Sequence, residues 1–190
     1  MSQNNITITA EEALQKLKEG NAQYMTAEKS EGNISLALRQ KTCSEGQFPY
    51  AIVVTCSDSR VIPESIFNAG IGEIFVIRVA GNVMDNHQIG SVEYASEHLG
   101  SRLVVVMGHS HCGAVGAAIG GGAEHFTKYI TDEIKKAIGD EKDDYKACCL
   151  NVENSVKVIK DSLGIKDGEE NGLKVCGAVY HIEDGRVEFL

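Results

Sequence analysis

The sequence has no Cys-x-x-Cys pair, although it holds six cysteines, at 43, 56, 112, 148, 149 and 176. That absence removes the usual signal for a zinc ribbon or a thioredoxin-type redox site. Positive charge is scarce: 18 Lys and Arg stand against 27 Asp and Glu, a net charge of −9. This balance argues against non-specific nucleic-acid binding. No apolar run approaches the ~18 residues of a membrane span. The opening MSQNNITITAEEALQKLKEG has no basic segment leading into an apolar run, so no signal peptide is expected. The expected location is cytoplasmic. There is no internal repeat, no linker-like stretch and no tryptophan.

What remains is an ordinary folded composition. Over 190 residues, 43% are hydrophobic and 24% charged, which suits one domain with a sizeable core. In such a chain the cysteines read as thiols, metal ligands or catalytic groups rather than disulfides. Three apolar runs stand out: YAIVVTC (50–56), which leads into SDSR, EIFVIRVAG (73–81) and RLVVVMGH (102–109). KVCGAVYHIEDGRVEFL (174–190) reads as two terminal strands joined by a turn at Asp184-Gly185. Segments 63–69, 88–99, 112–119, 127–138 and 146–163 are helix-compatible, and GGG (120–122) and GDEKDD (139–144) read as loops. Strands alternating with helices predict an α/β domain whose mostly parallel central sheet is covered by helices.

Residues 1–45 read as an N-terminal helical arm on a core of 46–190. Ala13, Leu14, Leu17, Ala22 and Tyr24 recur at roughly helical spacing over 10–27. Thr9 is the expected N-cap, with Glu12 as its capping-box partner. Gly20-Asn21 is a candidate break, and 33–43 is a second short helix.

The stretch VVVMGHSHCGAV (104–115) packs His109, His111 and Cys112 into four positions. Open α/β sheets gather functional groups at strand carboxyl ends. Cys56 follows the first run and His109 ends the third, so both are predicted at that edge. His109-x-x-Cys112 can wrap one ion where a strand turns into a helix, and Cys56 would complete three ligands. Two thiolates and an imidazole suit Zn²⁺, and three protein ligands leave a position for water. Spacing alone leaves a plainer reading open, in which each buried cysteine is a small hydrophobe. Asp58 and Arg60 weigh against it. A surface ion pair is worth at most ~1 kcal/mol, yet these charges sit beside a buried apolar run.

CSDSRVIPE (56–64), FVIRVAGN (75–82), SVEYA (91–95) and GHSHCGA (108–114) follow one another in this order. In these segments, and over nearly its whole length, the chain resembles the β-class carbonic anhydrases. The resemblance implies their fold, their zinc ion and the reversible hydration of CO₂ to bicarbonate. By that resemblance Cys56, His109 and Cys112 are the zinc ligands. His111 falls at a variable position between the paired ligands and takes no metal role.

The resemblance also implies roles around the metal. Asp58, held by Arg60, orients a zinc-activated hydroxide, or swings in as a conditional fourth ligand. Gln47, nine residues before Cys56, matches a bicarbonate-binding glutamine. Phe75 and Tyr94 match aromatic pocket positions, though aromatics in such runs usually just fill the core. The Gly113 amide can donate to an oxyanion. Pocket groups that come partly from a neighbouring subunit imply a homodimer or homotetramer. An inhibitory bicarbonate site in some members includes a tryptophan. Arg78 and Tyr94 match other parts of it, but with no tryptophan here that regulation is not expected.

Three rival readings remain at this point. The nearest is a carbonyl sulfide or carbon disulfide hydrolase on the same scaffold. A non-catalytic zinc- or bicarbonate-binding protein is a second, disfavoured because Asp58 and Arg60 are both present. A redox protein using Cys148-Cys149 ranks last, because adjacent cysteines rarely form a relaxed disulfide.

Overall fold

The computed structural model describes residues 8–27, 29, 32–162, 164–165 and 172–190. Positions 1–7, 28, 30 and 31 of the expected arm, and 163 at the end of the last expected helix, lie outside the described residues.

The three apolar runs and the terminal pair form one five-stranded sheet. Its strands are β1 (Ala51–Thr55), β2 (Ile74–Arg78), β3 (Leu103–His109), β4 (Lys174–Tyr180) and β5 (Val187–Phe189), in the order β2-β1-β3-β4-β5. All pairings are parallel except β4 with β5. β1 and β3 are buried along their whole length, as unbroken apolar runs at the centre of a parallel sheet should be. Their side chains alternate between two cores. Ala51, Val53, Val105 and Met107 face α1 (Ala10–Thr26) and α3 (Pro63–Ile66). Ile52, Val54, Val104 and Val106 face α4 (Asn86–Glu97) and α7 (Asp144–Asp161).

A third cluster lies beyond the carboxyl ends of the strands. There α5 (Gly113–Ile119) and α6 (Thr127–Ile138) pack Val115, Ala118, Ile134 and Ile138 around Cys56 and Cys112. α2 (Leu36–Glu45) begins three residues later than expected, at an Ser35 cap whose hydroxyl accepts from Leu38 N–H. Among the described residues no helix is long and apolar enough to cross a membrane.

Two local expectations are corrected. Gly20-Asn21 does not break α1, which runs unbroken with the Thr9–Glu12 capping box at its start. The pair instead marks where the helix meets the sheet. A Cβ on Gly20 would stand 1.9 Å from the Phe67 carbonyl oxygen. Asn21 is buried, and its Nδ2 donates to the Ile66 and Gly185 carbonyls while its Oδ1 accepts from Val187 N–H. The second apolar run also stops early as a strand. Pairing ends at Arg78, and the chain turns away through Ala80–Asn82, where Gly81 (φ +68°) and Asn82 (φ +44°) take left-handed φ values. Glycine adopts that region without steric cost, and asparagine more readily than most residues.

Candidate metal centre

β1 pairs directly with β3, Thr55 opposite Met107, so Cys56 and His109 emerge side by side at the carboxyl edge. The chain then turns through Ser110 and His111, and Cys112 caps α5. One ligand atom each from Cys56, His109 and Cys112 lies within 4.8 Å of the others. All three residues are buried.

The imidazole orientation is fixed from outside the cluster. His109 Nδ1 sits 2.9 Å from the Ser110 carbonyl oxygen. Only a protonated Nδ1 can donate there, which leaves a lone pair on Nε2 when the ring is neutral. Nε2 is buried and has no hydrogen-bond partner. An unpaired polar atom in such a place costs free energy unless something fills the site. Donating the other ring N–H to a backbone carbonyl is the usual posture of a metal-ligating histidine.

The two sulfurs shift in opposite directions because each lies against the other. The Cys56 thiol is lowered to about 4, chiefly by a hydrogen bond from Cys112; burial opposes this, while His109 and the Gly81 and Asp58 amides assist. Those amides stand 3.2 and 3.4 Å from Cys56 Sγ. Cys112 is pushed up by its hydrogen bond to Cys56 and by burial, against the Val115 and Ala114 amides at the start of α5. Each sulfur thus shifts the other, Cys56 toward its thiolate and Cys112 toward its thiol. For His109, burial works against protonation, but the Cys56 sulfur and the Ser110 carbonyl outweigh it and raise the imidazole.

Asp58 stands beside this cluster and is gripped by Arg60. Arg60 Nε donates to Oδ1 at 2.9 Å and Nη2 to Oδ2 at 2.7 Å, and the Arg60 amide adds a bond to Oδ1 at 2.9 Å. These bonds hold the Asp58 carboxyl well below the usual carboxylate range. Oδ2 is 3.9 Å from His109 Nε2. Arg60 Nη2 also donates to the His111 carbonyl at 3.2 Å, tying the Asp58 loop to the Cys112 loop.

Arg78 is a supporting residue that its sequence match to an anion pocket did not suggest. Its guanidinium donates to the Cys56 carbonyl at 3.1 Å and the Asp58 carbonyl at 2.7 Å. A cation at the end of β2, opposite Thr55, was the available signal. His111 points elsewhere: its φ is +55°, its ring is exposed, and its amide donates to Asp144 Oδ2 at 3.0 Å.

The remaining expected site residues divide into two places. Gly113 opens α5 next to Cys112. Gln47, Phe75 and Tyr94 gather instead near the β2 edge of the sheet. Gln47 and Tyr94 line an open groove of about 660 Å³, together with Arg39 and His98. The Phe75 ring lies 6.2 Å from that of Tyr94. Phe75 is in register with Ile52, four residues before Cys56 and so roughly 13 Å along the strand. Cys148, buried, donates to the His109 carbonyl, and Cys149 sits at the half-buried border.

Comparison with known proteins agrees with this arrangement. The profile of the carbonic anhydrase family matches residues 51–187. A carbonic anhydrase of Mycolicibacterium smegmatis is 34% identical over 189 residues, covering 93% of this chain and 91% of that protein. One from Pseudomonas aeruginosa is 34% identical over 175 residues, covering 79% and 77%. Among solved structures, a tetrameric β-carbonic anhydrase of Sordaria macrospora superposes with a TM-score of 0.70 at 28% identity, over 81% of this chain and 91% of that one. The Coccomyxa β-carbonic anhydrase in complex with acetazolamide gives 0.69 at 28%, over 81% and 79%. With a profile match across most of its length and relatives this similar end to end, the chain belongs to the carbonic anhydrase family, in its β class.

Proposed function

We propose that Cys56, His109 and Cys112 hold a Zn²⁺ ion and that the protein interconverts CO₂ and bicarbonate beside it, with Asp58 and Arg60 acting as a dyad. The observation that carries this reading is the buried, partnerless His109 Nε2, facing two cysteine sulfurs within 4.8 Å. Two sulfurs and one imidazole nitrogen match zinc chemistry, and three protein donors leave a fourth position free. When bound, the ion supplies Lewis acidity that makes hydroxide available near neutral pH.

The rest is done by the chain. Asp58, ionised and gripped through both oxygens by Arg60, has lone pairs left to accept a hydrogen bond. Accepting the hydrogen of the attacking hydroxide turns an oxygen lone pair toward the CO₂ carbon. The guanidinium brings a positive charge to a site whose two thiolates supply negative charge. Arg60 also keeps the carboxylate off the ion. Released from it, Asp58 starts 3.9 Å from His109 Nε2, close enough to serve as a conditional fourth ligand. The Gly113 amide, at the start of α5, donates to the oxyanion of bicarbonate.

Gln47, Phe75 and Tyr94 complete the substrate pocket from a neighbouring copy. Their distance from Cys56 along the chain's own sheet supports this, as does the exposure of Tyr94 at 47%. A tetrameric relative agrees with an assembly of even order. The test combines metal analysis with stopped-flow CO₂ hydration. One zinc per chain, lost with activity in His109→Ala, is the expected result. A zinc-loaded protein that hydrolyses carbonyl sulfide but leaves CO₂ untouched overturns the substrate.

A further inference from the structure

Cys56 Sγ accepts a buried hydrogen bond from Gly81 N–H at 3.2 Å. Gly81 lies in the Ala80–Asn82 turn, which holds two consecutive left-handed residues. A turn of that kind keeps its shape only where its surroundings fix it. Two sets of contacts do so here. On one side α5 and α6 close over it, since a Cβ on Gly81 would meet Ile134 Cδ1 at 2.7 Å and Ala114 Cβ at 3.0 Å. On the other side two polar side chains of α7 reach it. Asn151 Nδ2 donates to the Gly81 carbonyl at 2.8 Å, and Ser155 Oγ donates to the Asn82 carbonyl at 2.9 Å. Both residues are 1% exposed.

Cys148, Asn151 and Ser155 follow at i, i+3 and i+7, which puts them on one face of α7. That face otherwise packs Val152 and Ile159 into the core. Burying polar groups there costs free energy unless their hydrogen bonds have a use. The backbone carbonyls to which the three side chains donate all belong to segments bearing on the Cys56–His109–Cys112 cluster: His109 O, Gly81 O and Asn82 O.

We propose that Asn151 and Ser155 are positioning residues for the Cys56 thiolate, holding the Ala80–Asn82 turn so that the Gly81 N–H stays aimed at Sγ. The inference rests on the reading of Cys56 as a metal ligand. Hydrogen bonds to a ligating sulfur withdraw electron density from it, and such outer contacts tune a bound metal. A released turn leaves Cys56 a more electron-rich donor in a less ordered position.

Cobalt(II) reads this without reference to turnover. The cobalt-loaded protein and its Asn151→Ala, Ser155→Ala and double variants are compared by their sulfur-to-cobalt charge-transfer bands. Zinc affinity is measured alongside by chelator competition. The bands are expected at longer wavelength in each variant and furthest in the double variant, with zinc binding weakened about 10-fold or more. Ser155→Thr, which keeps the hydroxyl, restores both values. Ser101→Ala is the control for mere destabilisation. Ser101 is 1% exposed, and its hydroxyl donates to the Pro49 carbonyl at 2.7 Å, away from the turn. Bands and affinity unchanged in Ser155→Ala and the double variant, or shifted equally by Ser101→Ala, overturn the proposal. Cys56→Ser separates this from failure of the ligand reading: if its bands match those of the parent, Cys56 is no ligand at all.

Discussion

Arg60 grips Asp58 through both carboxylate oxygens, at 2.9 and 2.7 Å, while Asp58 Oδ2 stands 3.9 Å from His109 Nε2. The carboxylate is therefore suspended between a guanidinium and the Cys56–His109–Cys112 cluster. Arg60→Ala should leave zinc bound, since Cys56, His109 and Cys112 survive. Activity should fall on the order of 10²-fold or more, the usual effect of removing one oriented electrostatic partner. Arg60→Lys should recover little, because an ammonium lacks the two-pronged fork. In a double-mutant cycle, Asp58→Ala with Arg60→Ala should resemble Asp58→Ala alone. Losses that multiply across the cycle in stopped-flow assays would show the two residues acting independently.

His109 and His111 are two residues apart, yet they face different surroundings. One ring is fully buried with Nε2 unpaired, and the other is exposed beside Asp144. His109→Ala should lose metal and CO₂ hydration together. His111→Ala should keep a full zinc content by elemental analysis. The reverse pattern would overturn the ligand assignment.

The parts of the fold that could be read from the sequence are those where one physical demand dominates. β1 and β3 are buried on both faces, so they read as long apolar runs, with the polar Thr55 and His109 only at their carboxyl ends. The meeting of Cys56 with His109 followed from strand ends in a parallel sheet. Other features depend on contacts distant in sequence. Gly20-Asn21 has the local signature of a break, but it answers to Phe67 and Gly185. Gly81 ends an apolar run, and no local rule says that its carbonyl is held from Asn151, 70 residues on. The only trace of that contact is polar residues interrupting an apolar helix face.

Asn21 ties α1 to the last residue of α3 and to the terminal hairpin. Asn21→Leu leaves the Ile66 and Gly185 carbonyls and the Val187 amide without their buried partner. The expected loss is roughly 2–4 kcal/mol, from an unmet buried group at about 1–3 kcal/mol each with partial relaxation. Gly20→Ala should cost more, because its Cβ would lie 1.9 Å from a backbone oxygen that cannot move aside alone. Urea unfolding at equilibrium measures both. Wild-type midpoints in the two variants would refute the account of α1 docking.

Gln47 and Tyr94 line a groove near the β2 edge, away from Cys56. If a neighbouring copy brings them to its partner's metal, the active species is an oligomer of even order, with the same patch used on both subunits. Light scattering at assay concentration should give twice or four times the chain mass. A fully active monomer would reject the shared pocket. Gln47→Ala should then lower kcat/KM without loss of zinc.

The charge states of the metal-free ligands set how metal uptake depends on pH. The Cys112 thiol and the His109 imidazole are both raised above their ordinary values, so both hold protons that an incoming ion must displace. Cys56 is shifted the other way, toward its thiolate, by Cys112, His109 and the Gly81 and Asp58 amides. The sign follows directly. Binding expels protons, so a falling pH opposes it and a rising pH favours it. Uptake should release protons from Cys112 and from His109, the two groups shifted toward their protonated forms. Zinc affinity, measured by chelator competition in dilute buffer, should therefore rise roughly 100-fold or more from pH 6 to pH 8, about tenfold per pH unit for each proton displaced. Indicator dye reads the released protons in the same titration. An affinity flat across this range, with no proton released on uptake, would overturn this account.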